Sequence, residues 1–320
     1  MPIKLNYCPF CRSNKFKDLY RIKANNTFAP LFEMDTETFQ RFFSYNLREC
    51  KNCGLFYSDR VLTQSETIRF YNFENWDPLK EKEKAKDRIE DFKAFLNFLE
   101  HYTPLSQKKV VDVGCTHGLL LALAKKRGAI PTGFEINKEA IIFGRNKLNL
   151  NMIESDLLDY NFPNEKIYDI VVFFATIEHF KRPLDYLKKT YTLLKPNGLI
   201  FLTIPETCFL TKHILRYKCY NYILGHYTYP TKKQILDSLK EMGYELLFYK
   251  SSKLSMKLIL YLLANFFQKL IKNIKIPIFQ KSYNVHFIDP NLNILQKLLQ
   301  YPLLPFSLGI ARILCKKKSA

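Results

Sequence analysis

The sequence predicts an α/β fold: a mainly parallel sheet with helices on both faces, preceded by a small cysteine-bound module. Three observations predict it. From Val110 onward, apolar runs of strand length alternate with amphipathic helical stretches. The first of these strands runs through a glycine-containing loop into a helix, Val110-Val111-Asp112-Val113-Gly114-Cys115-Thr116-His117-Gly118-Leu119-Leu120. Ahead of it stand two C-x-x-C pairs, Cys8-Pro9-Phe10-Cys11 and Cys50-Lys51-Asn52-Cys53.

Taken in chain order, residues 1–60 are dense in Cys, Phe and Tyr, as in a module too small to build its own core. Two such knuckles supply four thiolates able to close a tetrahedral site, which predicts one structural zinc ion on Cys8, Cys11, Cys50 and Cys53. The 38 residues between the knuckles do not oppose this, since loop-closure entropy grows only with the logarithm of length. Residues 61–108 read as a helical connector, in which Ile89, Phe92, Leu96 and Leu99 recur at helical spacing and mark one buried face.

Residues 109–250 form the core. Strands are expected at Lys109–Val113, Pro131–Glu135, Met152–Glu154, Ile170–Phe174, Leu199–Thr203 and Tyr244–Tyr249, with helices at Leu119–Lys126, Lys138–Lys147, Pro183–Leu194 and Lys232–Met242. Asn197-Gly198 is read as a turn just before the fifth strand. Residues 251–320 read as a basic, apolar, helical extension, with a lid, a membrane-surface element and an edge of the sheet as the open alternatives. Its apolar stretches, Leu258–Phe267 and Tyr301–Cys315, fall short of the ~20 residues a membrane span needs.

The chain's 320 residues carry a formal charge of +19, unevenly spread. From residue 181 onward there are 23 Lys and Arg against 6 Asp and Glu, a net of +17. Such an asymmetry implies an anionic partner for the C-terminal half: a phosphorylated acceptor, a membrane surface or RNA. With no secretory signal and cysteines paired at metal-ligand spacing, the expected location is the cytoplasm, with contact at the inner face of the membrane a further expectation.

The glycine loop alone would suit many nucleotide-binding folds. The residues beyond it are more specific. Glu135 ends the second strand, 23 residues after Asp112. Asp156 follows the third. Then come Tyr168-Asp169-Ile170-Val171-Val172-Phe173-Phe174-Ala175-Thr176-Ile177-Glu178-His179-Phe180 and Leu193-Leu194-Lys195-Pro196-Asn197-Gly198-Leu199-Ile200-Phe201-Leu202. This ordered series resembles the class I S-adenosylmethionine-dependent methyltransferases, small-molecule and sugar enzymes in particular, over roughly Lys109 to Tyr249. The paired knuckles ahead of such a domain resemble sugar C-methyltransferases.

The resemblance implies a Rossmann-like sheet of seven strands and S-adenosyl-L-methionine as cofactor. Asp112 and Gly114 would border its methionine part, with Gly118 at the helix start. Glu135 would hold the ribose, and Asp156 with Leu157 would border the adenine. The family's loop usually has glycine where this chain has Thr116, a residue tolerated at negative φ and strained at positive φ.

Catalytic candidates should lie beyond the strand ends: Glu178 and His179 after the fourth strand, and His226 in the segment Gly225-His226-Tyr227-Thr228-Tyr229. Tyr71 would close over the cofactor from the connector. His117 is read as an exposed loop residue, and Cys115, Cys208, Cys219 and Cys315 as small packing residues. The expected activity is methyl transfer to a small or glycan-type acceptor, a nucleotide-linked sugar or surface polysaccharide. The alternatives are a zinc-finger ribosomal RNA methyltransferase and a non-catalytic binding protein on the same fold.

Overall fold

The computed structural model describes residues 1–73, 82–207, 222–251 and 310–318. The N-terminal module contains β1 (Ile3–Lys4), β2 (Phe16–Ile22), α1 (Thr36–Phe43), β3 (Tyr45–Cys50), β4 (Phe56–Ser58) and β5 (Arg60–Val61). β2, β3 and β4 pair antiparallel, and β1 pairs with β5. Asp35 starts α1 by accepting the Thr38 N–H at 2.8 Å. The helix buries Phe39 and Phe43 against Phe32. Arg48 is almost fully buried and would be costly there unpaired. Its guanidinium donates to Asp18 at 2.7 Å and to the Leu5 carbonyl at 2.8 Å, and lies 3.6 Å from Asp59.

Two helices follow, α2 (Gln64–Phe73) and α3 (Lys82–Glu100). The periodic face of α3 buries Leu96 and Leu99, and Phe95 packs on Phe201 with ring centroids 4.3 Å apart.

The core then runs β6 (Lys109–Val113), α4 (Leu119–Lys126), β7 (Ile130–Glu135), α5 (Lys138–Leu148), β8 (Asn151–Glu154), β9 (Tyr168–Phe173), α6 (Pro183–Leu193), β10 (Leu194–Pro205), β11 (Thr228–Tyr229), α7 (Lys232–Glu241), β12 (Tyr244–Ser251) and β13 (Ile310–Lys317). Among the described residues, seven of these strands form one sheet in the order β12-β13-β10-β9-β6-β7-β8. Neighbours pair in parallel from β10 through β8, while β13 runs antiparallel to both β10 and β12. Alternate residues feed two separate cores, as a sheet covered on both faces requires. Val111, Val171, Phe173, Ile200 and Leu202 face one, and Val110, Ile170, Val172, Leu199 and Phe201 the other.

The structure corrects two sequence expectations here. The extension from residue 251 is expected to be helical, yet its described part, Ile310–Lys317, is a strand inserted into the sheet. Ala311, Ile313, Leu314 and Cys315 are buried there, and Lys317 donates to the carbonyls of Tyr191 and Leu194, securing the strand where α6 ends. The Asn197-Gly198 turn lies within β10 rather than before it. Asn197 takes φ 61° and the pairing with β9 shifts register between Leu194 and Leu199. The Leu258–Phe267 stretch, Cys208 and Cys219 lie outside the described residues.

Module and core are stitched together. β11 pairs with β4, so the segment after β10 extends the N-terminal sheet. Gln234 Nε2 donates to the Cys53 carbonyl, and Arg12 pairs with Asp185 at 3.3 Å. No helix of the described residues is long and apolar enough to cross a membrane.

Candidate active site

A cavity of about 680 Å³ opens beyond the C-terminal ends of β6, β7, β8 and β9, where open α/β sheets bind ligands. Of the residues expected to bind cofactor, Asp112, Gly114, Glu135, Asp156, Leu157 and Tyr71 line it; of the catalytic candidates, His179 and His226 do. Gly118 and Glu178 do not. Gly118 begins α4 at φ 79°, and an added Cβ would stand 2.5 Å from Leu150, so packing and turn geometry require glycine there. The Glu178 side chain is only 3% exposed, beneath the cavity wall.

The β6–α4 loop is held from two sides. Gly114 takes φ 74°, and a Cβ on it would meet Thr176 Cγ2 at 2.4 Å, so the loop passes directly against the turn after β9. Thr116 takes φ 48°, the left-handed region in which a β-branched residue is strained. Its N–H donates to Glu135 Oε2 at 2.8 Å, and Glu135 Oε1 accepts from Ile136 and Asn137. Thr116, Glu135 and the start of α5 thus form one network. His117, expected to be exposed, is buried: the left-handed turn at Thr116 directs it inward, edge-on to Phe143 at 5.2 Å.

Asp112 is 4% exposed and has no side-chain hydrogen-bond partner among the described residues. Burial, and then the charge of Glu135, push its carboxyl up to about 8. Burial also raises Glu135, against the three N–H groups that favour its ionised form. Two buried acids beside a cavity, one without a partner, fit a ligand carrying positive charge; S-adenosylmethionine carries a sulfonium and an ammonium group. Asp156 is already engaged: Tyr186 donates to one oxygen and the Leu158 N–H to the other at 2.8 Å. Tyr186 in turn stacks on Phe180 at 3.7 Å. Any adenine contact with Asp156 therefore adds to an existing network.

At the other end of the cavity three distant parts of the chain meet. His179 Nδ1 lies 2.9 Å from the Gly225 carbonyl, which can only accept, so the proton sits on Nδ1 and Nε2 carries the lone pair. Burial pushes the His179 ring down to about 4, against the carbonyl contact, and keeps it neutral at pH 7. His226 packs edge-on at 4.7 Å and Tyr71 edge-on at 5.6 Å. Glu178 offers a carboxylate oxygen within 4.8 Å of a nitrogen of each imidazole. Burial raises Glu178 to about 8, and its Oε2 has no partner. The Tyr227 N–H donates to the Glu178 carbonyl at 2.8 Å and brings the two segments into register. Also lining the cavity, and not singled out in the sequence, are Thr67, Arg88, Asp91, Lys181 and Tyr186. No motif marks them; their position depends on how α2 and α3 fold over the strand ends.

The four N-terminal cysteines also converge, with one sulfur each within 4.8 Å of the others. Cys8 Sγ lies 3.6 Å from Cys53 Sγ, and Cys11 Sγ 3.5 Å from Cys50 Sγ. A zinc–sulfur length of about 2.3 Å in a tetrahedron requires sulfurs about 3.8 Å apart. Both knuckles turn through left-handed residues, Arg12 at φ 61° and Gly54 at φ 74°. Contact with Cys8 pushes the Cys53 thiol down to about 5, while the same contact and burial push Cys8 up.

Residues 84–248, about half of the chain, match the methyltransferase-domain family. A ubiquinone biosynthesis O-methyltransferase of Vibrio vulnificus is 34% identical over 101 residues, 30% of this chain and 43% of the relative. That of Stutzerimonas stutzeri is 28% identical over 133 residues, 37% of this chain and 56% of the relative. The chain thus spans about half the length of the curated relatives it matches. A chain in a solved complex between the Haloferax volcanii Trm112 methyltransferase activator and a methyltransferase shares the fold, with TM-score 0.51 at 15% identity over 77% of this chain and 97% of that one. The strand order, the cavity at the strand ends and the family match agree: the chain belongs to the methyltransferase-domain family and has the fold of the class I S-adenosylmethionine-dependent methyltransferases.

Proposed function

We propose that this protein transfers a methyl group from S-adenosylmethionine to a small-molecule acceptor, with His179 and His226 handling the acceptor's proton. The observation that carries this reading is one cavity with a buried acid pair, Asp112 and Glu135, at the strand ends and a neutral imidazole at its other end. Asp112 would hold the cofactor's positively charged methionine part, Glu135 its ribose, and Leu157 with Asp156 its adenine. The bound cofactor supplies an electrophilic methyl group, so most of the remaining catalysis is positioning. His179, fixed by the Gly225 carbonyl, presents Nε2 to remove the acceptor's proton. His226 packs edge-on against that imidazole, with the buried Glu178 carboxyl within 4.8 Å. Tyr71 shields that end from water.

The relatives' names point to oxygen as the accepting atom. A nucleotide-linked sugar or glycan acceptor remains our first choice, resting on the basic C-terminal half and on the paired knuckles. We infer that the four cysteines hold a structural zinc ion, since their spacing suits it and, among the described residues, no other His, Cys, Asp or Glu joins the cluster. The non-catalytic reading rests on Thr116, whose left-handed strain weakens the loop. Calorimetric titration of S-adenosylmethionine into the zinc-loaded protein and a Glu135→Ala variant separates the two. Micromolar binding, weakened about 10- to 100-fold in the variant, supports the enzyme; no binding by the folded protein establishes the non-catalytic reading.

A further inference from the structure

The charges lining the cavity are segregated along the chain. The acids Asp112, Glu135, Asp156 and Asp159 come from β6, β7 and the segment after β8. The bases come from α3 and the turn after β9: Arg88, Lys181 and Arg182, with Asp91 the acid nearby in sequence. Arg182 lies 3.3 Å from Asp185, and Arg88 also has a partner. Lys181 differs. It is half-buried, and among the described residues no carboxylate lies within salt-bridge distance of it.

The carboxylate that acts on Lys181 most is that of Glu66, and it is already used. Its Oε2 accepts from the Thr63 N–H and hydroxyl, at 2.8 and 2.9 Å. Its Oε1 takes the Met1 amine at 2.9 Å. A partly desolvated ammonium without a counter-ion is unfavourable unless something supplies the charge. Lys181 follows His179 by two residues. α6 begins two residues later, with no side chain capping its first turn, and Arg182 and Tyr186 line the same cavity.

We propose that Lys181 anchors an anionic group of the acceptor, a phosphate or a carboxylate, so that the reacting atom is presented to His179. This assigns acceptor class to a single residue and rests on the cavity being the methyl-transfer site. The cofactor's positive charge meets the acids of the strand ends, and the acceptor's negative charge meets Lys181. An acceptor of the right shape without an anion leaves the ammonium unpaired and is disfavoured.

The test uses the full chain saturated with S-adenosylhomocysteine, at constant ionic strength in chloride. Thermal unfolding is followed against inorganic phosphate in one arm and acetate in the other. Wild type is compared with Lys181→Met, Lys181→Arg and, as a control on exposed α4, Lys126→Met. Saturable stabilisation by one or both anions is expected in wild type and Lys126→Met, at least tenfold weaker in Lys181→Met and largely restored in Lys181→Arg. The arm that saturates at lower concentration identifies phosphate or carboxylate. Equal anion binding in Lys181→Met, or none in wild type while S-adenosylhomocysteine still stabilises it, overturns the assignment of Lys181 alone. Failure of S-adenosylhomocysteine to stabilise the wild type overturns the cofactor reading, and this proposal with it.

Discussion

The two ends of the cavity are built in opposite ways. The strand-end region is local: Asp112, Gly114, Thr116 and Glu135 belong to two successive strand–helix turns, tied together by backbone N–H groups on one carboxylate. The histidine end is assembled from afar, with Tyr71 from α2, His179 from the turn after β9 and His226 from the segment that completes the N-terminal sheet. The proposed cofactor region is therefore a property of the core fold, whereas the proposed acceptor region depends on the cysteine module staying docked.

Removing the zinc ion proposed for the four cysteines should break that contrast most visibly. Chelation, or Cys53→Ser, is expected to lower the melting temperature by about 10 °C or more. Because β4 supports β11 and the Gly225–Tyr227 segment, methyl transfer should fall much further than affinity for S-adenosylmethionine. Equal loss of both would show that the two ends are not separable.

Next in size is His179→Ala, expected to reduce kcat about 10²- to 10⁴-fold with cofactor affinity unchanged, as for loss of a general base. Since burial holds His179 near 4, the wild-type acid limb of kcat should fall below pH 5 instead of near the ordinary imidazole value. A limb near 6.5 would place the proton elsewhere.

At the cofactor end the expected pH effect is of intermediate size. Asp112 is held near 8 in the free protein, so a cationic ligand that needs it ionised must displace a proton. Affinity should therefore rise with pH by up to about tenfold per unit below 8 and level off above it. The ligand-free protein should show the opposite trend in stability. Asp112 and Glu178 both have raised folded pKa values, so their contribution is complete below the unfolded carboxylate range and is lost as pH climbs through 8.

The smallest effect concerns Thr116. Thr116→Gly removes left-handed strain of order 1 kcal/mol and should raise the melting temperature by about 2 °C, read by thermal unfolding. A lower melting temperature would mean that the threonine contributes a contact of its own.

The same division explains how far the sequence could be read. Strands buried on both faces appear as mainly apolar runs, so Ile170–Phe173 and Val110–Val113, the latter interrupted by Asp112, stand out, and the glycines and acids near their ends mark the cavity. The last strand did not. Ile310-Ala311-Arg312-Ile313-Leu314-Cys315-Lys316-Lys317 mixes charge with apolar residues and pairs antiparallel with strands far earlier in the chain, so nothing local declares it. His117 appeared exposed because its inward turn depends on the φ of Thr116, which only the Glu135 network imposes. The meeting of His179 and His226 rests on two long-range bonds, from the Tyr227 N–H to the Glu178 carbonyl and from His179 Nδ1 to the Gly225 carbonyl, and bonds across 49 and 46 residues leave no local sequence pattern. Lys181 is hidden for a related reason: its proposed role rests on there being no carboxylate within salt-bridge distance among the described residues, which depends on tertiary packing.

The most direct test of the central claim is a calorimetric titration of S-adenosylmethionine at pH 6, 7, 8 and 9, in buffers of different ionisation enthalpy, for the wild type and Asp112→Asn. The account predicts close to one proton released per cofactor bound at pH 6 and 7, fading by pH 9, and none in the variant at any pH. Binding without proton release in the wild type, or unchanged release in Asp112→Asn, would contradict the assignment of the buried acid pair to the cofactor's positive charge.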